Sequence, residues 1–392
     1  MEFMNNFIKN SGLLFFSLIV SLLAIEVGIR LVVPAERWKF FDATVDWKID
    51  SELGWVNKSD LRVKYIAAGN KPSIFETNND GLISRSSRER RSDHILRIML
   101  FGDSTVAGRA VARAEAIDSQ LEKALKSIGI EAEVINSGVN GYSTDQILLF
   151  MKRIVPLYKP DIVVYGLCTN DFSGNAVSSM YGINKPRFVA GTGGELEPIS
   201  FQQSEKIETF GANNPKKWIQ YSALYRFLQP LIVNLRDKLA DQKILSPEDY
   251  YTDPIALNEM NEPVLSLLIA EMQRTAAAVE AKFFFYSHPA LEEVWEPYIN
   301  KIKELKKPHN YDGHRVENKL FEVAKKNNLL FCPLVEFFIK NKYRGPFHLL
   351  PRDPHCNASG YAVIAEALAY FLVENQMIKN FQQRSEQSSE HF

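Results

Sequence analysis

Only three cysteines occur among the 392 residues, Cys168, Cys332 and Cys356, an odd number, widely spaced and without a Cys-x-x-Cys pattern. Neither a disulfide framework nor a zinc site is indicated; two of the three lie on or just beyond predicted buried strands, and they read as small apolar filler. Cys356 is a poor nucleophile candidate because His355, its chain neighbour, is badly placed to act as its base. An excess of one charge is also missing. With 46 Lys and Arg against 47 Asp and Glu, the net charge is −1, which provides no field for nucleic acid. The first strand-to-helix turn lacks Gly-x-Gly-x-x-Gly, which excludes a dinucleotide fingerprint. Val106 stands where a Gly-x-Ser-x-Gly elbow needs glycine, which argues against the α/β-hydrolase fold. No internal repeat is apparent. What is there, 46% hydrophobic and 24% charged residues, is an ordinary globular composition of a length that allows roughly two or three domains.

The amino terminus differs in kind. From Gly12 to Ile25 every residue is apolar or small, and the run continues through Glu26 and Arg30 to Val33 before Pro34 ends it. Spanning a bilayer takes about 20 helical residues, so residues 12–33 are long enough for an anchor. Glu26 and Arg30 stand four apart, acid first, the spacing at which helical side chains pair and neutralise each other near the interface. A cleaved signal peptide and a buried soluble helix are the alternatives, although no clean small-x-small cleavage site follows. Lys9 precedes the run, whereas Arg37, Lys39 and Lys48 follow it. A simple positive-inside count would leave the large domain in the cytoplasm, but long domains translocate largely regardless of charge. The expectation is a single-pass anchor with the catalytic domain periplasmic or extracytoplasmic.

Residues 35–93 carry Trp38, Phe40, Phe41, Trp47 and Trp55 without a sustained period and read as an irregular lead-in packed on the main domain. Arg85, Arg88, Arg90 and Arg91 read as a solvated loop. From Ile95 strand and helix alternate. Strands are expected over 95–101, 131–136, 161–167, 282–287 and 329–334. Helices are expected over 114–128, from a Ser143/Gln146 capping box to about 157, over about 263–281, over 314–327, and from an Asn357 N-cap onward. Such alternation implies a parallel five-stranded sheet with helices on both faces. Between Asp171 and Pro254 the regularity stops, apart from one helix at about 221–238. Phe172, Tyr181, Phe188, Trp218 and Tyr221 in this insertion read as packing of a loop-rich subdomain or as a wall for a sugar.

Four fragments carry the chemistry. Phe-Gly-Asp-Ser-Thr at 101–105 ends the first strand; Asn-Ser-Gly-Val-Asn-Gly at 136–141 follows the second; Gly-Leu-Cys-Thr-Asn-Asp at 166–171 follows the third; Asp-Pro-His at 353–355 follows the fifth. In an open parallel sheet, ligands bind outside the carboxyl ends of the strands, so all four reach one edge. A serine hydroxyl needs a base to attack an ester, and a neutral imidazole held by a carboxylate is the usual one. Ser104 is the nucleophile candidate, His355 the base and Asp353 its carboxylate. Pro354 favours an extended Asp353, and residues two apart on an extended segment face the same side. The backbone amides of Ser104 and Gly141 and the side-chain amide of Asn170 are candidate oxyanion donors. Asp103 and Asp171 read as structural residues of their loops, His348 as the substitute base, and His288 as non-catalytic.

These blocks resemble the SGNH (GDSL) hydrolase family over about residues 50–375. Glu-Leu-Gly-Trp at 52–55 and Thr-Asn-Asn-Asp-Gly at 77–81, behind a membrane segment, resemble its membrane-anchored bacterial members. The resemblance implies an α/β fold of the three-layer α/β/α flavodoxin-like type and esterase or acyltransferase activity on ester-bearing substrates, without metal or organic cofactor. The chain departs from the family at two places. The Asp-to-His step is two residues where three is usual, as in a minority of members that includes some polysaccharide modifiers, and Thr105 replaces leucine. The expected organisation is an anchor over 1–34, a lead-in over 35–93, a catalytic domain over 94–378 with an insertion over 172–254, and a polar tail over 379–392. The expected function is hydrolysis of an acyl ester, most simply acetyl. The alternatives are O-acyl transfer or deacetylation on an envelope or exported polysaccharide, and an inactive glycan-binding or membrane-partner scaffold.

Overall fold

The structure is a computed structural model that describes residues 2–32, 46–67, 71–90, 92, 94–202, 222–225, 228, 254–297, 299–300, 313–349, 353–379 and 381. The chain divides into two compact units, residues 1–45 with 208–243, and residues 46–207 with 244–392.

In the first unit the apolar run forms one helix, α1 (Glu2–Val32). Its stretch Lys9–Val32 is long and apolar enough to cross a membrane, with a mean hydropathy of 2.4. Glu26 and Arg30 pair at 2.6 Å as their spacing predicts. The Glu26 carboxylate also accepts hydrogen bonds from the Ser222 hydroxyl at 2.8 Å and the amides of Ala223 and Leu224 at 2.8 and 2.9 Å. The rest of the helix expected at 221–238 lies outside the described residues, except Tyr225 and Leu228.

The second unit begins with two antiparallel hairpins, β1 (Trp47–Asp50) with β2 (Gly54–Asn57) and β3 (Arg62–Ala67) with β4 (Lys71–Glu76). The lead-in is therefore not irregular. Its strands are short, and Arg62, Val63, Lys64 and Tyr65 alternate between exposed and half-buried, a period of two too brief to stand out in sequence. The arginine cluster is less free than expected, since Arg85 pairs with Glu76, Arg88 with Asp80 and Arg90 with Asp161.

The central sheet is parallel and has five strands: β5 (Leu96–Gly102), β6 (Ala132–Asn136), β7 (Ile162–Leu167), β12 (Lys282–Ser287) and β13 (Phe331–Cys332), in spatial order β6-β5-β7-β12-β13. Numbered by position in the chain this order is 2-1-3-4-5, the flavodoxin-like arrangement, whose switch point lies between the first and third strands. Two short hairpins, β8 (Ser179–Met180) with β9 (Ile183–Asn184) and β10 (Arg187–Ala190) with β11 (Leu196–Ile199), stand in the insertion. A last pair, β14 (His348–Leu349) and β15 (Asp353–Cys356), precedes the final helix.

The helices follow in chain order as α2 (Ser104–Ala107), α3 (Ile117–Ser127), α4 (Thr144–Tyr158), α5 (Asn170–Gly174), α6 (Pro254–Ala277), α7 (Leu291–Val294), α8 (Arg315–Lys326), α9 (Val335–Lys340) and α10 (Ala358–Glu374). Alternate residues of each central strand enter opposite cores. Met99, Phe101, Val163, Tyr165 and Phe285 pack with α4, α6 and α8. Ile98, Leu100, Val164, Phe284 and Tyr286 pack with α3, α9 and α10. The result is the expected three-layer α/β/α sandwich.

Three boundaries differ from the sequence reading. The helix expected from Pro263 starts at Pro254, so Pro263 lies inside α6; the good helix formers upstream override its role as a start signal. The fifth strand shrinks to two residues because Pro333 ends it, having no amide to donate to a ladder. The helix expected over 114–128 opens with a separate 3₁₀ turn, Arg113–Glu115, before α3.

Candidate active site

Gly102 closes β5 and Asp103 caps α2, leaving Ser104 as the first residue of that short helix. A Cβ at Gly102 would lie 2.3 Å from Val106 Cγ2 and 2.8 Å from the Gly166 carbonyl oxygen, so the turn closes tightly only with glycine there. Asp103 Oδ1 accepts from the Thr105 amide at 2.8 Å and the Thr105 hydroxyl at 2.7 Å. From α10, the Tyr361 hydroxyl donates to the Thr105 carbonyl at 2.8 Å. The turn bearing Ser104 is thus held from both sides.

His355 lies in β15, a strand of a short hairpin and not the open loop expected after β13. Its Nε2 is 2.7 Å from Ser104 Oγ across 251 residues of chain. Residue 353 opens the same strand. The Asp353 side chain lies outside the described residues. His348, the substitute base of the sequence reading, is buried with Nε2 3.0 Å from the Pro289 carbonyl.

The candidate donors Gly141 and Asn170 follow the two neighbouring strands. After β6, the amides of Ser137 and Val139 donate to the carbonyls of Leu100 and Gly102 at 2.8 and 3.1 Å, which ties the loop carrying Gly141 to the turn bearing Ser104. Gly141 adopts φ +77, and a Cβ there would lie 2.3 Å from Tyr181 Cε2. The position therefore needs glycine for its left-handed backbone as well as for close approach. After β7, Asn170 Nδ2 donates to Asp103 Oδ2 at 2.9 Å. A side-chain amide carries two N–H groups, so one is tied to Asp103 while the second can serve an oxyanion. The sequence reading assigned Asp103 to loop structure alone; the structure adds that it orients Asn170. No spacing signal could reveal this, because the residues are 67 apart and meet only across adjacent strands.

Asp171 stays structural, with Oδ2 accepting from the Cys168 amide at 2.9 Å. Burial, and then the nearby charge of Asp103, pushes its carboxyl well above the usual range. Behind the Gly141 loop, Lys185 and Asp145 form a buried ion pair at 2.5 Å. The Ser143 and Gln146 capping box opens α4 as predicted. Of the insertion aromatics, Phe172 is buried and Tyr181 is 44% exposed; Phe188 packs against the core. Trp218 and Tyr221 lie outside the described residues. The three cysteines are free, and no metal-ligating cluster occurs among the described residues.

The sequence profile of the GDSL-like lipase/acylhydrolase family matches residues 100–363, spanning all four blocks. The chain belongs to this family. No curated protein sequence matches it. Among solved structures, TesA is similar at 13% identity and a TM-score of 0.38, over 73% of this chain and 99% of that one. The acetyl xylan esterase AlAXEase is similar at 14% identity and 0.35, over 70% and 98%. A catalytic mutant of Axe2, an acetylxylan esterase from Geobacillus stearothermophilus, is similar at 13% and 0.36, over 71% and 93%. These likenesses are remote, and the assignment rests on the family match.

Two expected results follow from this GDSL-like site. With Asn170 as a candidate oxyanion donor, Asn170→Ala should lower kcat by about 10²–10³, with a small change in KM; ester kinetics on the purified variant check this, and an unchanged kcat would count against that role. The second concerns His288, which is buried with Nε2 3.1 Å from the Tyr286 hydroxyl. Burial, then the neighbouring His355 and His348, lowers its pKa from 6.5 to about 3. The unfolded chain therefore binds a proton that the folded chain excludes. The stability this contributes is present above about pH 6.5 and is lost as pH falls toward 3, at up to about 1.4 kcal/mol per pH unit. Thermal melts between pH 7 and 5 should fall more steeply for the wild type than for His288→Gln, and equal slopes would refute this account.

Proposed function

We propose that the protein is a membrane-anchored serine esterase that hydrolyses an acyl ester, acetyl in the simplest case. The observation that carries this reading is the 2.7 Å contact between His355 Nε2 and Ser104 Oγ, at the switch point where the donor loops after β6 and β7 converge. His355 takes the Ser104 proton as Oγ attacks the ester carbonyl. The negative charge that moves onto the carbonyl oxygen is received by the amides of Ser104 and Gly141 and by Asn170 Nδ2. As the intermediate collapses, His355 returns the proton to the departing alkoxide, leaving an acyl group on Ser104. The acceptor, deprotonated by His355, then attacks the acyl carbonyl, the Oγ–acyl bond breaks, and His355 returns the proton to Ser104 Oγ. Asp353 is assigned to hold the imidazole, and the chemistry calls for no cofactor.

With water as acceptor the reaction is hydrolysis; with a sugar hydroxyl it is O-acyl transfer to a glycan, and deacetylation of a glycan is the same hydrolysis on a larger substrate. The glycan reading is favoured by the exposed Tyr181 beside Gly141. In this proposal α1 holds the chain on the membrane, with the catalytic domain on the extracytoplasmic side. Labelling of the full chain with a fluorophosphonate tests the core of the reading. An adduct on Ser104 is expected, and its absence in folded protein would favour an inactive binding scaffold. Products formed with and without a sugar acceptor then separate hydrolysis from transfer.

A further inference from the structure

Tyr181 occupies a position that tyrosine fits poorly. The two-residue loop between β8 and β9 is Tyr181-Gly182, with φ of +54 and +73. Positive φ at both central positions is the type I′ turn, which favours Asn-Gly or Gly-Gly. A bulky side chain in that region is strained, and strain of this kind at a ligand-facing position leads to a hypothesis of function. The strained backbone aims the ring at the oxyanion loop, with Cε2 where a Gly141 Cβ would be, at 2.3 Å. Trp47 and Trp55 brace the ring at centroid distances of 5.9 and 6.0 Å, yet 44% of the residue remains exposed. Burial and then the charge of Asp103 raise the phenol pKa, which places Tyr181 within electrostatic reach of the nucleophile turn.

We infer that Tyr181 is a substrate-binding residue whose partly exposed side chain takes the C–H face of a pyranose, which makes an acylated glycan the substrate class. The inference rests on the acyl-transfer reading of Ser104. A braced aromatic plane with a polar rim matches a ring that is apolar on its faces and hydroxylated at its edge. An alkyl acyl chain would instead call for an enclosed apolar slot, whereas Tyr181 is 44% exposed. Stacked on Tyr181, the sugar holds its ester next to Gly141 and the Ser104 hydroxyl.

The test uses the full chain in detergent micelles with 4-nitrophenyl acetate and peracetylated cellobiose as substrates. Tyr181→Asn places the preferred residue in the turn, so its melting temperature should match or exceed that of the wild type. Its KM for the sugar acetate should rise about tenfold, the equivalent of one aromatic stacking contact. Its kcat/KM for 4-nitrophenyl acetate, which has no pyranose to stack, should fall several-fold less than that for the sugar acetate. Tyr181→Phe, which keeps the plane, should restore most of the sugar affinity. Equal losses on both esters would make Tyr181 a prop for the Gly141 loop and overturn the inference, as would an unchanged sugar KM. Wild-type turnover of the aryl acetate without any turnover of the sugar acetate would overturn the glycan assignment and leave the esterase reading intact. Failure on both esters, with no fluorophosphonate adduct on Ser104, would overturn that reading and the inference with it.

Discussion

Ser104→Ala is expected to abolish ester turnover, a loss on the order of 10⁶ in kcat, while the melting temperature stays close to that of the wild type. The substitution removes one oxygen from a half-buried position at the first residue of α2, where alanine is compatible with the helix. The contacts that hold the turn do not involve the lost hydroxyl, since they run through Asp103, Thr105 and Tyr361. Folding and chemistry are thus separable here. Steady-state hydrolysis, together with loss of fluorophosphonate labelling, checks the prediction. Retained activity in the alanine variant would overturn the assignment of the nucleophile.

His355→Ala is expected to cost about as much, because nucleophile and base act as one unit and each is useless without the other. The double variant Ser104→Ala/His355→Ala should lose no more than either single change. Additive losses would mean that His355 has a role independent of Ser104. Asp353→Asn should cost less, on the order of 10⁴ or below, since a third member orients the base without accepting the proton. The two-residue step between Asp353 and His355 bears on that difference. If the short step weakens their contact, the Asp353→Asn loss falls well below about 10⁴; a loss of about 10⁴ would indicate an ordinary Asp-His pair.

Much of the architecture was legible in sequence because parallel strands buried on both faces read as continuous apolar runs. The run Lys282-Phe-Phe-Phe-Tyr-Ser287 matches β12 residue for residue, and Asn357 caps α10 by accepting from the amides of Ser359 and Gly360. Where the sequence reading failed, partners distant in the chain decided the outcome. The hairpins over 47–76 form from strands too short to carry a period. The β13 edge strand has a neighbour on one side only and stops at Pro333. At the site, the order of the fragments along the chain pointed to a common edge. The tie between Asp103 and Asn170, and the burial of His348 against the Pro289 carbonyl, required coordinates.

Local patterns therefore determined which residue types end each strand, where the helices cap, and that an apolar helix precedes the catalytic unit. These depend on interactions between near neighbours in the chain, which composition and spacing report directly. The tertiary structure alone decided that Ser104 meets His355 across 251 residues. It also decided that Asp103 turns the Asn170 amide and that a strained Tyr181 lies over Gly141. Such contacts arise from packing strands side by side, and packing brings together residues whose separation in sequence carries no trace of their proximity.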